Sequence, residues 1–178
     1  VMGRSAGWIA LHAGLAGGAH AILLPEVPYD ARFVSDAVRA RAKLGKKYSV
    51  IVVAEGATPR RGRASITGHD AQGQARYGGA GDVLKKKLEK VIEHEVRVTV
   101  LGHVQRGGSP SSADRVLGSR YGAAAVRLAL AGEFGKIVAL RAGAIVAKPL
   151  EAAPPRLVSP DSDTCQTARA LGITFGDG

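Results

Sequence analysis

Two arginines, a histidine and an amide side chain are gathered in one short stretch, Arg97-Val98-Thr99-Val100-Leu101-Gly102-His103-Val104-Gln105-Arg106-Gly107-Gly108-Ser109-Pro110. His103 can donate to a phosphate oxygen, and Arg106 can pair with a phosphate through two parallel bonds. The glycines and Pro110 make the exit of this stretch a turn. The donors therefore collect at the end of an apolar run, where they have no packing role. An edge strand with solvated arginines is the competing reading. Met2-Gly3-Arg4 offers related chemistry just ahead of a helical pattern. Gly3 permits close backbone approach, Arg4 supplies a planar fork of donors, and a helix N-terminus adds N–H groups and positive potential. A surface arginine beside a tight turn fits the same three residues. Glu55 ends an apolar run and precedes Gly56. Its carboxylate can accept hydrogen bonds from sugar hydroxyls, or it can simply cap a helix or face solvent.

Positioning these groups requires regular elements. Trp8, Leu11 and Leu15 repeat near the helical period, which predicts a helix over 5–16 that Gly17 and Gly18 end. Ala21 to Leu24 reads as a short buried strand closed by Pro25. Asp30 is placed to cap a helix over 31–44, with Gly45 at its end. Ser49 to Ala54 and Val96 to Leu101 read as further strands, the first rich in β-branched residues. Residues 57–80 predict a mobile loop or a flexible hairpin, and 82–93 a helix whose Lys85-Lys86-Lys87 run faces water. Ser111 with Asp114 resembles a capping box, opening a helix that runs to about Ala131. Short strands at Ile137–Leu140 and Ala144–Val146 follow. The Pro-bearing tail from Glu151 is expected to wrap the surface irregularly, with a short helix at 164–171. Apolar strands alternating with helices imply an α/β domain with a parallel or mixed sheet covered on both faces. In such sheets ligands gather beyond the strand carboxyl ends, where these candidates fall or adjoin.

Composition narrows the function classes. Gly is abundant (24 residues) and aromatics are scarce (4%), which suits a close-packed domain better than a stacking platform for nucleic acid. No apolar run approaches the ~20 residues that span a bilayer. Cys165 is the sole cysteine and forms no internal disulfide, so a reducing cytoplasm is expected. His12, His20, His69 and His94 lack metal-ligand spacing with one another or with Cys165. No Walker-type phosphate loop occurs. The formal charge is +10; residues 151–178 hold two arginines against four acids, so 1–150 carry +12. Such an excess attracts phosphorylated metabolites, nucleic acid or anionic membrane alike. Arg60-Arg61-Gly62-Arg63 suits a basic nucleic-acid-binding module, but without interleaved aromatics.

Val1-Met2-Gly3-Arg4 with Gly7-Trp8-Ile9-Ala10-Leu11, then Val53-Ala54-Glu55-Gly56-Ala57, then Val100 through Pro110, resemble in order the C-terminal half of bacterial-type 6-phosphofructokinases. The likeness runs from residue 1 to about 150. It implies a layered αβα fold, with 1–150 a substrate-binding region and 151–178 a variable C-terminal extension. It also implies transfer of a phosphoryl group, from ATP with Mg²⁺ or from pyrophosphate, to the 1-hydroxyl of fructose 6-phosphate. By the same resemblance Met2, Gly3 and Arg4 line the sugar-phosphate site, and Glu55 bonds sugar hydroxyls. His103 and Arg106 hold the 6-phosphate, with Val104 and Gln105 between them. Arg97 reaches the 6-phosphate of a neighbouring subunit, so a homo-oligomer, a homotetramer by the family pattern, shares the site. The donor loop and the catalytic base of the family are expected upstream of Met2, in a longer protein, and the segment by itself is expected to be inactive. A catalytically dead subunit of the same fold is a further possibility. Lys46 and Lys47 match basic positions of a nucleotide effector site, but His20 stands where regulated members carry an acid, a departure that puts the usual effector response in question.

Overall fold

A computed structural model describes residues 1–69, 71–152 and 156–178. It divides into two compact units, Val1–Gln105 with Arg156–Gly178, and Arg106–Pro155.

The first unit is organised by a small parallel sheet. β1 (Ala21–Leu23) pairs with β2 (Ile51–Val53) in the register Ala21↔Ile51, Ile22↔Val52 and Leu23↔Val53. Single rungs extend it on both sides. Thr174 bridges Ala21 in parallel on the outer edge of β1. Beyond β2, the Val1 N–H donates to the Val53 carbonyl (2.7 Å) and the Glu55 N–H to the Val1 carbonyl (2.8 Å). Successive side chains of a strand point to opposite faces, and β1 splits accordingly. Ile22 enters a core with Ala10, Leu11, Cys165, Ala168 and Phe175, while Ala21 and Leu23 enter another with Tyr29, Val34, Leu84 and Leu88. Helices α1 (Trp8–Ala16) and α5 (Asp163–Ala170) supply the first core. α2 (Ala31–Lys43) and α3 (Ala80–Leu88) supply the second. The unit is thus layered αβα. Asp30 caps α2 by accepting the Arg32 N–H at 2.9 Å, as its position predicts.

Three expectations change. Val96 to Leu101 joins no ladder among the described residues, and Val100 is 76% exposed. β-Branched residues favour a pleated, half-buried surface but create none without a neighbouring strand. This run instead faces β2 across an open cavity of about 530 Å³, whose lining includes Ile51, Val53, Leu88, Val96 and Val98. The helix expected over 82–93 runs from Ala80 to Leu88, starting after Gly79 at φ 72°. Finally, the tail from Arg156 is not a surface wrap. Its short helix is present as expected, as α5, but the tail buries Val158, Cys165, Ala168, Ile173 and Phe175, because its apolar residues complete the α1 side of the sheet. Within 57–80 the chain forms an antiparallel hairpin of β3 (Ile66–His69) and β4 (Ala75–Tyr77).

In the second unit, α4 (Ser112–Leu130) opens with the expected capping box. The Asp114 N–H donates to Ser111 Oγ at 3.3 Å, and the Ser111 N–H to the Asp114 carboxylate at 2.9 Å. The helix packs on an antiparallel hairpin, β5 (Lys136–Arg141) with β6 (Ala144–Pro149). Ala142 (φ 47°) and Gly143 (φ 82°) make its two-residue turn.

Candidate functional site

The carboxyl end of β2 and residues 1–4 build one surface. Glu55 and Gly56 leave β2 beside Val1 to Arg4, and the Gly56 N–H donates to the Gly3 carbonyl at 3.1 Å. A β-carbon on Gly56 would lie 1.9 Å from the Arg4 carbonyl oxygen, so only glycine allows the two backbones this close. Gly3 lies at φ 139°, a conformation that other residues rarely adopt. The Gly3 N–H points to Glu55 Oε1 (3.4 Å), and the Met2 N–H to Gln105 Oε1 (3.4 Å). Gln105 is held in turn by donating to the Gly102 carbonyl at 3.0 Å. Met2, Gly3, the Arg4 backbone, Glu55 and Gln105 therefore come together.

The remaining candidates are placed differently. The side chains of Arg4 and His103 are exposed and have no hydrogen-bond partner among the described residues, and Val104 is 81% exposed. His103 and Val104 lie on a 3-10 turn over Gly102–Arg106. Arg106, exposed, is the first residue of the second unit. Arg97 is engaged locally: its guanidinium donates to both oxygens of Glu95, at 2.9 and 3.0 Å. That pairing lowers the Glu95 carboxyl below its ordinary range and raises Arg97. Lys46 and Lys47 are exposed, and with Met2, Glu55 and Arg97 they border the cavity beside β2. His20 accepts the Val50 N–H on Nδ1 at 2.9 Å and meets the Tyr48 ring edge-on. Burial first, then the nearby charge of Arg41, pushes its pKa down.

One site residue escapes the sequence reading. The Glu26 carboxylate stands at the N-terminus of α1 and accepts the Gly7 N–H on both oxygens, at 3.0 and 3.1 Å. It also accepts the Val158 N–H at 2.8 Å. The positive end of α1, expected to be available to an anionic ligand, thus already has a protein carboxylate against it. The available signal was positional: Glu26 follows β1 as Glu55 follows β2, an acid just beyond each strand. Among the described residues no group of three or more His, Cys, Asp or Glu side chains could hold a metal ion.

A family model described as phosphofructokinase matches residues 1–129. An ATP-dependent 6-phosphofructokinase of Chloroflexus aurantiacus is 54% identical, over 99% of this chain and 49% of its own. A pyrophosphate–fructose 6-phosphate 1-phosphotransferase of Streptomyces coelicolor is 46% identical, over 99% of this chain and 51% of its own. Among solved structures, a pyrophosphate-dependent phosphofructokinase from Marinobacter aquaeolei superposes with a TM-score of 0.72 at 25% identity, covering 97% of this chain and 45% of that one. Phosphofructokinase from Saccharomyces cerevisiae gives 0.66 at 32% identity, covering 85% of this chain and 19% of that one. The chain spans about half the length of the curated relatives it matches.

Proposed function

Because the chain belongs to the phosphofructokinase family, we propose that it forms the fructose-6-phosphate-binding region of a 6-phosphofructokinase. That enzyme moves a phosphoryl group from ATP to the 1-hydroxyl of the sugar. The observation that carries the reading is the junction of Met2-Gly3-Arg4 with Glu55 and Gln105 at the carboxyl end of β2. Phosphoryl transfer depends chiefly on positioning and charge stabilisation. In this reading Glu55 orients sugar hydroxyls, His103 and Arg106 take the 6-phosphate, and Arg4 lies near the transferring group. Met2, Gly3, Val104 and Gln105 shape the wall around them. In this reading magnesium and the donor phosphates are bound mainly by the part of the longer protein that lies outside this chain.

In this reading residues 1–150 serve substrate binding and 151–178 are a C-terminal extension, whose part from Val158 onward joins the core. A homotetramer in the cytoplasm sharing sites through Arg97 fits the large apolar side chains left exposed on the second unit, among them Val126, Leu130 and Phe134. Among the described residues no helix is long and apolar enough to cross a membrane. Lys46 and Lys47 are a candidate effector contact. Pyrophosphate as the donor is the second reading, favoured by the Streptomyces relative. A thermal-shift titration with fructose 6-phosphate tests the main one. The chain should be stabilised and its Arg106→Ala variant much less so, by about 1.5–3 kcal/mol of lost charge-assisted bonding. An equal response in both would remove the sugar-phosphate site. The longer protein should phosphorylate fructose 6-phosphate, and this chain alone should not.

A further inference from the structure

Resting on the fructose-6-phosphate reading, we propose that Glu26 is a positioning residue that ties a C-terminal strap, Arg156–Val158, to the first turn of α1 and so fixes the loop that presents Arg4. The strap is held at both ends. Trp8 Nε1 donates to the Arg156 carbonyl at 2.7 Å, and the Val158 N–H donates to Glu26 Oε1 at 2.8 Å. The same carboxylate receives the Gly7 N–H. A carboxylate is well suited to this duty. It accepts only: Oε1 takes the amides of both segments and Oε2 takes Gly7 a second time, so a glutamine that keeps Oε1 in place turns its NH₂ group onto the Gly7 N–H and weakens that end of the clasp.

The platform beneath Glu26 is rigid. Leu24 and Val27 on either side of the Pro25-Glu26 pair are buried in the same core as Val158. Gly7 is pressed against it: an added β-carbon would meet Leu24 Cδ2 at 2.6 Å and Glu26 Oε2 at 3.0 Å. The other end of the loop is fixed independently, Gly3 by Glu55 and the Arg4 carbonyl by contact with Gly56. Residues 3–7 are thus suspended between two acids, one beyond β2 and one beyond β1. Only Arg4 and Ser5 at the crest are exposed. The tail enters this arrangement through two hydrogen bonds, so its docking sets how firmly the loop is held.

The test uses the full-length protein that contains this chain. Glu26→Gln and Trp8→Phe are compared with the parent by amide hydrogen exchange over residues 3–7 and by steady-state kinetics. Glu26→Gln should speed exchange across 3–7 and raise the KM for fructose 6-phosphate about tenfold, the scale of one charge-assisted hydrogen bond, with the KM for ATP unchanged. Trp8→Phe keeps an aromatic ring against the core but removes the strap's second bond, and should move both readouts the same way by less. Faster exchange confined to 156–158, or a lower melting temperature with an unchanged KM for the sugar, would make Glu26 merely structural and overturn the proposal. If Glu26→Gln fails to fold, unchanged exchange over 3–7 in Trp8→Phe overturns it equally. A parent protein that does not phosphorylate fructose 6-phosphate, yet shows the exchange response, would keep the clasp and remove the substrate reading.

Discussion

Substituting Gly56 with alanine should damage stability and substrate affinity together. The new methyl carbon would stand 1.9 Å from the Arg4 carbonyl oxygen, 2.7 Å from the Arg4 carbonyl carbon and 3.0 Å from the Gly3 carbonyl oxygen. All three are backbone atoms, so no side-chain rotation relieves the clash. The Arg4 peptide must withdraw by about 1 Å, a displacement of the size that costs on the order of 10²-fold in a positioned reaction. Withdrawal also stretches the 3.1 Å bond from the Gly56 N–H to the Gly3 carbonyl. Overpacking of about 1–3 kcal/mol and a lost hydrogen bond of about 0.5–1.5 kcal/mol combine to about 1.5–4.5 kcal/mol. Urea denaturation of the chain reads the stability change, and the KM for fructose 6-phosphate in the full-length protein reads the loop. A loss below about 0.5 kcal/mol, within the range of ordinary surface substitutions, together with unchanged sugar affinity, would refute the close approach of these two segments.

Glu95→Gln should release Arg97 from its bidentate pair. Exposed pairs of this kind contribute little, so sugar-phosphate affinity, measured by calorimetry on the assembled protein, should tighten by less than about fivefold; weakening would count against a phosphate role for Arg97. Stability should fall on acidification, read from melting temperature against pH, with His20 acting at higher pH than the lowered carboxylates of Asp30, Glu95, Asp114 and Asp177. His20 has a folded-state pKa below its ordinary 6.5, so its contribution is complete above pH 6.5 and is lost as pH falls through the lowered value. A His20→Gln variant should lack this higher-pH loss. Asp30 is held at about 2 against an ordinary 3.8, chiefly by its bond with Arg32, so its contribution is present above pH 3.8 and disappears as pH falls through about 2.

Much of the fold was legible because local signals agreed with the packing. Asp30, Ser111 with Asp114, and the apolar runs at Ala21 and Ile51 each name an element that the structure contains. Val96 to Leu101 misleads because strand propensity reports only suitability for a sheet, while the ladder needs an adjacent strand. The tail misleads in the opposite sense. Its prolines suggest surface wrapping, but Ile173 and Phe175 are separated by Thr174, the residue that bridges β1, so both reach the core beside it. The Glu55 surface was visible from residue type and place. Arg97 was visible too, but not its partner: Glu95 is two residues away, and nothing in that spacing announces a bidentate pair.

Glu26 exposes the deeper reason why charge alone does not locate the site. In a chain with a net charge of +10, the two segments that frame the proposed substrate loop are anchored by carboxylates. Glu55 takes the amide of Gly3, and Glu26 takes that of Gly7 and lies against the positive end of α1. The loop therefore offers a phosphate little from its backbone. On the proposed reading, recognition falls to side chains that have no hydrogen-bond partner among the described residues, Arg4 on the loop's exposed crest and His103 on the 3-10 turn. Fixed acids hold the frame and leave the cations at the surface, so a dianionic sugar can approach the guanidinium and imidazole without displacing a bond that maintains the fold. The clasp at Glu26 is the part of that frame whose weakening separates the two roles, because Glu26→Gln sets an NH₂ group against the Gly7 amide while leaving every candidate cation in the chain.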